Sequence, residues 1–103
     1  MKKAIQIANA PAPIAPYSPA ILAGNTLYVS GQIPVNPITR ELNMPDIKTA
    51  TRQIMENIGN LLNAAGMDYS NVVKCTIFLT NFDDYQGMNE AYAEFFGEVP
   101  PAR

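Results

Sequence analysis

Apolar residues recur along this chain with two periods, and the switch between them marks out its elements. Ile47, Ala50, Ile54, Ile58, Leu61, Leu62 and Ala65 follow one another at three- and four-residue spacing, which lines one face of an α-helix. Asp46 suits the N-cap, where its carboxylate can accept an orphan backbone N–H. Gly66 suits the position just past the end, where positive φ is wanted. The spacing predicts a helix over about 46–65. A second helix is predicted to open at Asp83-x-x-Gln86, which resembles a capping box with Asp in place of Ser or Thr, and to run to about Phe96. Tyr85, Met88, Tyr92 and Phe95 form its inward stripe, Gly97 ends it, and Pro100-Pro101 block a return to helix.

Elsewhere the period is two. Ala4–Ile7 is a short strand candidate. Ala20–Ala23 and Thr26–Ser30 flank Gly24-Asn25, the signal of a two-residue hairpin. Leu27 and Val29 then face one way, and Thr26, Tyr28 and Ser30 the other. Val72–Leu79 is the strongest strand candidate, β-branched and aromatic without interruption. Val73, Cys75, Ile77 and Leu79 give it an apolar face; Val72, Lys74, Thr76 and Phe78 give it a mixed one. Pro11, Pro13, Pro16 and Pro19 favour an extended, turning loop before the hairpin, and Pro34, Pro37 and Pro45 favour another after it.

The predicted order is strand, strand, strand, helix, strand, helix. That is one α+β domain over residues 1–103, with two helices on one face of a small mixed sheet. Tyr28 and Phe78, on the other face, have nothing left in the chain to bury them, so a subunit interface is expected there. A β–α–β–α series usually returns to the sheet, and the returning strand is missing.

Composition narrows the chemistry. With 103 residues, 48% hydrophobic and 16% charged, the chain has enough apolar content for one globular core. It contains no histidine, which removes the usual general base, the usual zinc ligand and every Ser–His or Cys–His dyad. No Gly-rich phosphate loop is present. The net charge of −2 and the scatter of the seven basic residues argue against a nucleic-acid partner. The single cysteine, Cys75, can form no internal disulfide and fits a reducing compartment, the cytoplasm. Its place among core positions reads as a buried, inert thiol. Lys2, Lys3 and Ala8-Asn9-Ala10 imitate a signal peptide, but the apolar stretch between them is far short of the roughly 7–15 residues required. No run approaches membrane-spanning length.

Several segments then line up in order over nearly the whole chain: APIAPYSPA (12–20), GNTLYVSGQIPVNP (24–37), NIGNLLNAAG (57–66), VVKCTIFLTNFDDY (72–85), MNEAYAEFFG (88–97) and PAR (101–103). Together they resemble the reactive-intermediate deaminase family, also called RidA or YjgF-like. The resemblance implies a chorismate-mutase-like fold and a homotrimer with sites in clefts between subunits. The activity it implies is cofactor-free hydrolysis of enamines and imines, such as 2-aminoacrylate, to 2-keto acids and ammonia. In that family the arginine of Pro-x-Arg binds the substrate carboxylate and begins a further strand. Arg103 matches it, so the sequence is expected to be truncated before the last two strands. The family's later pocket cysteine and glutamate have no counterpart here. Arg40 stands where glycine is common after Thr, a departure expected only to change a turn.

The resemblance nominates Arg103, Tyr17, Ser30, Gly31 and Asn89 as the site of a small 2-imino or 2-keto acid. Arginine offers a planar fork of donors matched to a carboxylate. Tyrosine gives an apolar wall with a polar tip, a strand-end serine gives a hydroxyl, and glycine lets a ligand approach the backbone. Each also has a bland reading on its own: a solvated terminal Arg103, a loop-anchoring Tyr17, a turn at Ser30-Gly31 and an exposed helical Asn89. Lys74 reads as exposed, or as pointing into an inter-subunit cavity, and Tyr85, Tyr92, Phe95 and Phe96 as helix core. Free imines already hydrolyse in water, so such a site needs to supply mainly orientation and limited proton transfer. Two other readings remain: a non-catalytic trimer that binds 2-keto acids, and an RNA-cleaving or translation-inhibiting protein.

Overall fold

The hairpin at Gly24-Asn25 sets the register of the sheet. In the computed structural model, which describes residues 1–8 and 13–103, β2 (Ala20–Ala23) and β3 (Thr26–Val29) pair antiparallel with Ala23 opposite Thr26. Gly24 alone of the two turn residues has positive φ, at 60°, the pattern of a type II′ turn whose twist matches that of the strands. β1 (Lys2–Ile5) adds to the other edge of β2, again antiparallel, with Ile5 opposite Ala20. The first strand therefore starts and ends two residues earlier than Ala4–Ile7. Asn9, Ala10, Pro11 and Ala12, part of the predicted Pro-rich loop, lie outside the described residues.

Helix α1 (Ile47–Ala64) follows the sequence reading closely. Asp46 is extended and its carboxylate accepts the Thr49 backbone N–H at 2.8 Å. At the other end Gly66 takes φ 75°. The Met67 N–H reaches the Leu62 carbonyl at 2.8 Å and the Gly66 N–H reaches that of Asn63 at 3.0 Å, which is a Schellman closure. Helix α2 (Tyr85–Ala93) starts differently from the prediction. Its cap is not the Asp83–Gln86 box. Asn81 accepts the Asp83 N–H at 3.0 Å and opens a short 3-10 turn, Phe82–Asp84, that feeds the helix. The helix ends at Ala93, and the next three residues close tighter i→i+3 bonds, so the predicted end at Phe96 marks the end of helical winding rather than of the α-helix.

Helix α1 lies against the sheet and α2 against α1 and the 72–79 segment, as two cores, so α2 does not cover the three-stranded sheet in the way the sequence predicts. Leu61 of α1 packs with Ile5 and Ala20 of the sheet, flanked by Leu22 and Leu27. Met55 of α1 packs with Met88 and Tyr92 of α2, flanked by Tyr69, Cys75, Ile77, Phe95 and Phe96. Ala4, Ile21 and Tyr28, which are cross-strand partners, share the opposite face. Tyr28 there is 63% exposed.

The largest departure concerns Val72–Leu79. Among the described residues it forms no ladder, only an isolated parallel bridge between Lys74 and Ala102. Cys75 donates its N–H to the Ala102 carbonyl at 2.8 Å, and Ala102 donates to Val73 at 3.0 Å. β-Propensity reports how side chains fit a pleated surface, but a strand also needs a neighbour, and here only Ala102 lies alongside. The sheet proper is thus three antiparallel strands rather than mixed. Alternation survives without the ladder: Cys75, Ile77 and Leu79 are half-buried, while Lys74, Thr76 and Phe78 are exposed. Val73, expected on the apolar face, is 80% exposed.

Candidate active site

Arg103 sits on the flank of α2 because the Lys74–Ala102 bridge brings the last residues alongside the 72–79 segment. Its guanidinium carbon lies 5.2 Å from the centre of the Tyr92 ring and 5.8 Å from that of Tyr85, within reach of the negative ring faces. Nη2 donates to the Tyr85 hydroxyl at 3.2 Å, and Nη1 approaches Met88 Sδ at 3.9 Å. Tyr85 is braced in turn by Phe82, with ring centres 5.2 Å apart and planes 10° from parallel. Arginine has five N–H donors, and the structure gives it neither an Asp or Glu partner nor more than these two hydrogen bonds among the described residues.

The charge therefore faces a cleft of about 270 Å³, lined by Arg103, Lys74, Thr76, Tyr85 and Met88, with Ile77 and Leu79 as apolar wall. Tyr85 was expected in the helix core, yet it is 43% exposed and forms part of this rim. Its spacing to Met88 put it on the inward stripe of α2. What the sequence did not show is that the stripe runs out into solvent at the helix start. Tyr92 behaves as expected of core, only 7% exposed. Burial pushes its hydroxyl well above the usual phenol range, the adjacent Cys75 thiol adds to this, and Arg103 opposes it. The thiol makes no hydrogen bond of good geometry, so the Tyr92 hydroxyl has no partner among the described residues. Cys75 itself is half-buried against this core.

Asn89 follows Met88 on α2. It is not the exposed helical amide of the bland reading: it is half-buried, and its Oδ1 is shielded from solvent with no hydrogen-bond partner among the described residues. Such an atom is costly unless something else completes it.

Tyr17, Ser30 and Gly31 form a second group at the end of β3. Ser30 Oγ donates to the Ser18 carbonyl at 2.6 Å, and the Ser30 N–H reaches the Pro19 carbonyl at 2.9 Å. These bonds clamp the Tyr17 loop to the strand end and leave Tyr17 56% exposed and Gly31 exposed. Within one chain none of the three lines the cleft of Arg103.

The sequence gives Thr76 no site role, and it leaves Lys74 either exposed or pointing into an inter-subunit cavity. The signal that could have found Thr76 is the period of two, which puts it on the same side as Lys74. A wider hollow of about 350 Å³ lies elsewhere, between Asn36, Pro37 and α1. Its floor is a carboxamide relay: Asn43 donates to Gln53 at 3.2 Å, Gln53 to Asn57 at 3.1 Å, and Asn57 to the Val35 carbonyl at 2.9 Å. Those groups satisfy one another, so the relay reads as a clasp for the 33–43 loop. None of the described helices is long and apolar enough to cross a membrane.

Comparisons with known proteins agree on one family. A family model described as Endoribonuclease L-PSP matches residues 7–103. A RutC family protein of Pyrococcus horikoshii is 52% identical over 103 residues, covering all of this chain and 82% of that protein. The 2-iminobutanoate/2-iminopropanoate deaminase of Bos taurus is 40% identical over 103 residues, covering all of this chain and 75% of its own length. The crystal structure of a Rid family protein from Yersinia pestis matches with a TM-score of 0.93 at 45% identity, over all of this chain and 82% of the other.

Proposed function

The chain belongs to the endoribonuclease L-PSP family, the YjgF/RidA family, and from that premise we propose that it hydrolyses small 2-imino acids, and the enamines that tautomerise to them, to 2-keto acids and ammonia. The observation that carries this reading is Arg103. It is a guanidinium held by two aromatic rings beside a small cleft, with no Asp or Glu ion-paired to it among the described residues. A 2-imino acid has one strong handle, its carboxylate, and the arginine fork fixes that group in a plane.

With the carboxylate anchored, the enamine CH2=C(NH2)–COO⁻ takes a proton at its CH2 carbon and loses one from nitrogen to become the imine. Water adds to the C=N carbon, a proton passes to nitrogen, and the tetrahedral adduct expels ammonia as the C=O bond forms. Orientation is the main contribution asked of the protein, because the uncatalysed hydrolysis is already accessible. Tyr17, Ser30 and Gly31 enter the reading through a homotrimer, in which a neighbouring copy would bring its strand end against the Arg103 cleft. The unpartnered Asn89 Oδ1 supports a polar occupant near α2. Tyr28 on the open face of the sheet and Phe78 on the 72–79 segment, 63% and 94% accessible, support surfaces covered by a neighbouring copy.

The family's printed description keeps a ribonuclease reading in view. Against it stand the absence of histidine and the net charge of −2. The deciding experiment generates 2-iminopropanoate in situ with an amino-acid oxidase and traps it with semicarbazide. The protein is expected to suppress the semicarbazone and speed keto-acid formation, and to leave a single-stranded RNA intact. An unchanged semicarbazone yield would refute the deaminase reading, and RNA cleavage would favour the other.

A further inference from the structure

The two cations of the cleft differ from the two basic residues of the helix seam, which are ion-paired. Lys48 pairs with Glu90 at 2.6 Å and Arg52 with Glu94 at 2.8 Å, both across the α1–α2 seam. Lys74 and Arg103 make no ion pair among the described residues, and they line the same cleft. Among the described residues no Asp or Glu lines it with them. The cleft is therefore a local concentration of positive charge on a molecule whose net charge is −2, and such a concentration selects for anions. Its volume of about 270 Å³ is at the small end of ligand sites, which run from roughly 300 Å³ upward.

One carboxylate needs one cation, and the site has two of different character. Arg103 is held in place by Tyr85 and Tyr92, so it fixes a group rigidly. Lys74 is exposed and carries a compact charge on a flexible stem, so it can follow a second anionic group whose position varies with chain length. Thr76, beside it in the lining, adds a hydroxyl, while Ile77 and Leu79 supply apolar wall for the methylenes between. We infer that the preferred ligands of this cleft are dianions: 2-imino and 2-keto dicarboxylates of four or five carbons, with Arg103 gripping the carboxylate beside the imine carbon and Lys74 the distal one. Lys74 is then a specificity-determining residue, and the inference rests on the deaminase reading only for the imine, not for the charge preference.

Two measurements separate the claims. In the first, 2-iminosuccinate and 2-iminopropanoate are generated by amino-acid oxidases. The ratio of kcat/KM for the dicarboxylate over the monocarboxylate is then compared in the wild type, Lys74→Met and Lys74→Arg. The ratio is expected to fall roughly 5-fold in Lys74→Met, the size of one partly exposed ion pair, and to recover in Lys74→Arg. In the second, 2-oxoglutarate and 2-oxobutyrate are titrated calorimetrically into the same three proteins. Wild type is expected to bind 2-oxoglutarate more tightly, and the preference is expected to shrink in Lys74→Met and as salt is raised. A ratio unmoved by Lys74→Met in both measurements overturns the proposal, as does failure to bind either keto acid. Turnover of neither imine, with the binding preference intact, would sink the deaminase reading and leave the dianion site standing.

Discussion

Arg40 has φ 63°, where its Cβ crowds the following carbonyl at a cost of roughly 1–2 kcal/mol. The loop demands that conformation: Asn36 accepts the Ile38 and Thr39 N–H groups at 2.8 and 3.2 Å, and the Arg40 N–H returns to the Asn36 carbonyl at 2.7 Å. Arg40→Gly should raise stability by about 0.5–1 kcal/mol, since glycine's freer unfolded chain offsets part of the gain. A lower urea midpoint would contradict this. Gly59 shows the opposite case. A Cβ there would lie 2.8 Å from Tyr69 Cζ, and the Tyr69 hydroxyl donates to the Met55 carbonyl at 2.7 Å. Gly59→Ala should cost about 1–3 kcal/mol by displacing the ring, whereas Gly59 replaced in a Tyr69→Ala background should cost less. The family resemblance flagged Arg40 as a turn residue in the sequence. Gly59 was silent, because a glycine inside a helical period looks like any other tolerated glycine until its neighbour across the core is known.

At the level of elements, the seam between α1 and α2 is laced by exposed carboxylates. The arginine and lysine partners hold Glu94 and Glu90 below the ordinary carboxylate value of 4.5, and the hydrogen bonds from Thr49 hold Asp46 below 3.8. Lowered folded values mean stability that is present above the ordinary values and lost as pH falls through the folded ones. The melting temperature is therefore expected to hold from neutral pH to about 4.5 and to drop below it, less so in high salt, since these groups are exposed. A melting temperature that rises on acidification would contradict the seam. The carboxamide clasp makes a local prediction: Asn57→Ala frees the 33–43 loop, so its amides should exchange faster while those of α1 stay protected. Helix α1 was legible because period, cap and terminal glycine all agree. Helix α2 was legible in position but not in its start, since Asn81 begins a 3-10 turn ahead of the acidic pair. For Val72–Leu79 the sequence carried the alternation but could not carry the neighbour that makes a ladder.

For the molecule as a whole, the exposed Tyr28 of the sheet and Phe78 of the 72–79 segment predict self-association. Sedimentation equilibrium is expected to give about three times the mass of one chain, and Phe78→Asp to shift it toward the monomer. A monomeric wild type at micromolar concentration would remove the shared cleft. The site was only partly legible. Arg103 and the Tyr17–Ser30 pair could be nominated from motifs, and the structure brings the latter two together through Ser18. The aromatic cradle of Arg103 and the company of Lys74 depend on the Lys74–Ala102 bridge, a contact between residues far apart in sequence that no local pattern encodes. Everything functional turns on that guanidinium. The most direct test compares wild type, Arg103→Lys and Arg103→Ala for suppression of the 2-iminopropanoate semicarbazone, with circular dichroism to confirm that each variant is folded. Folded Arg103→Ala should lose at least about 100-fold in kcat/KM, the scale of a truncated charge pair that a ligand and a neighbouring copy desolvate, with Arg103→Lys in between; a folded Arg103→Ala that turns over like wild type would contradict the account.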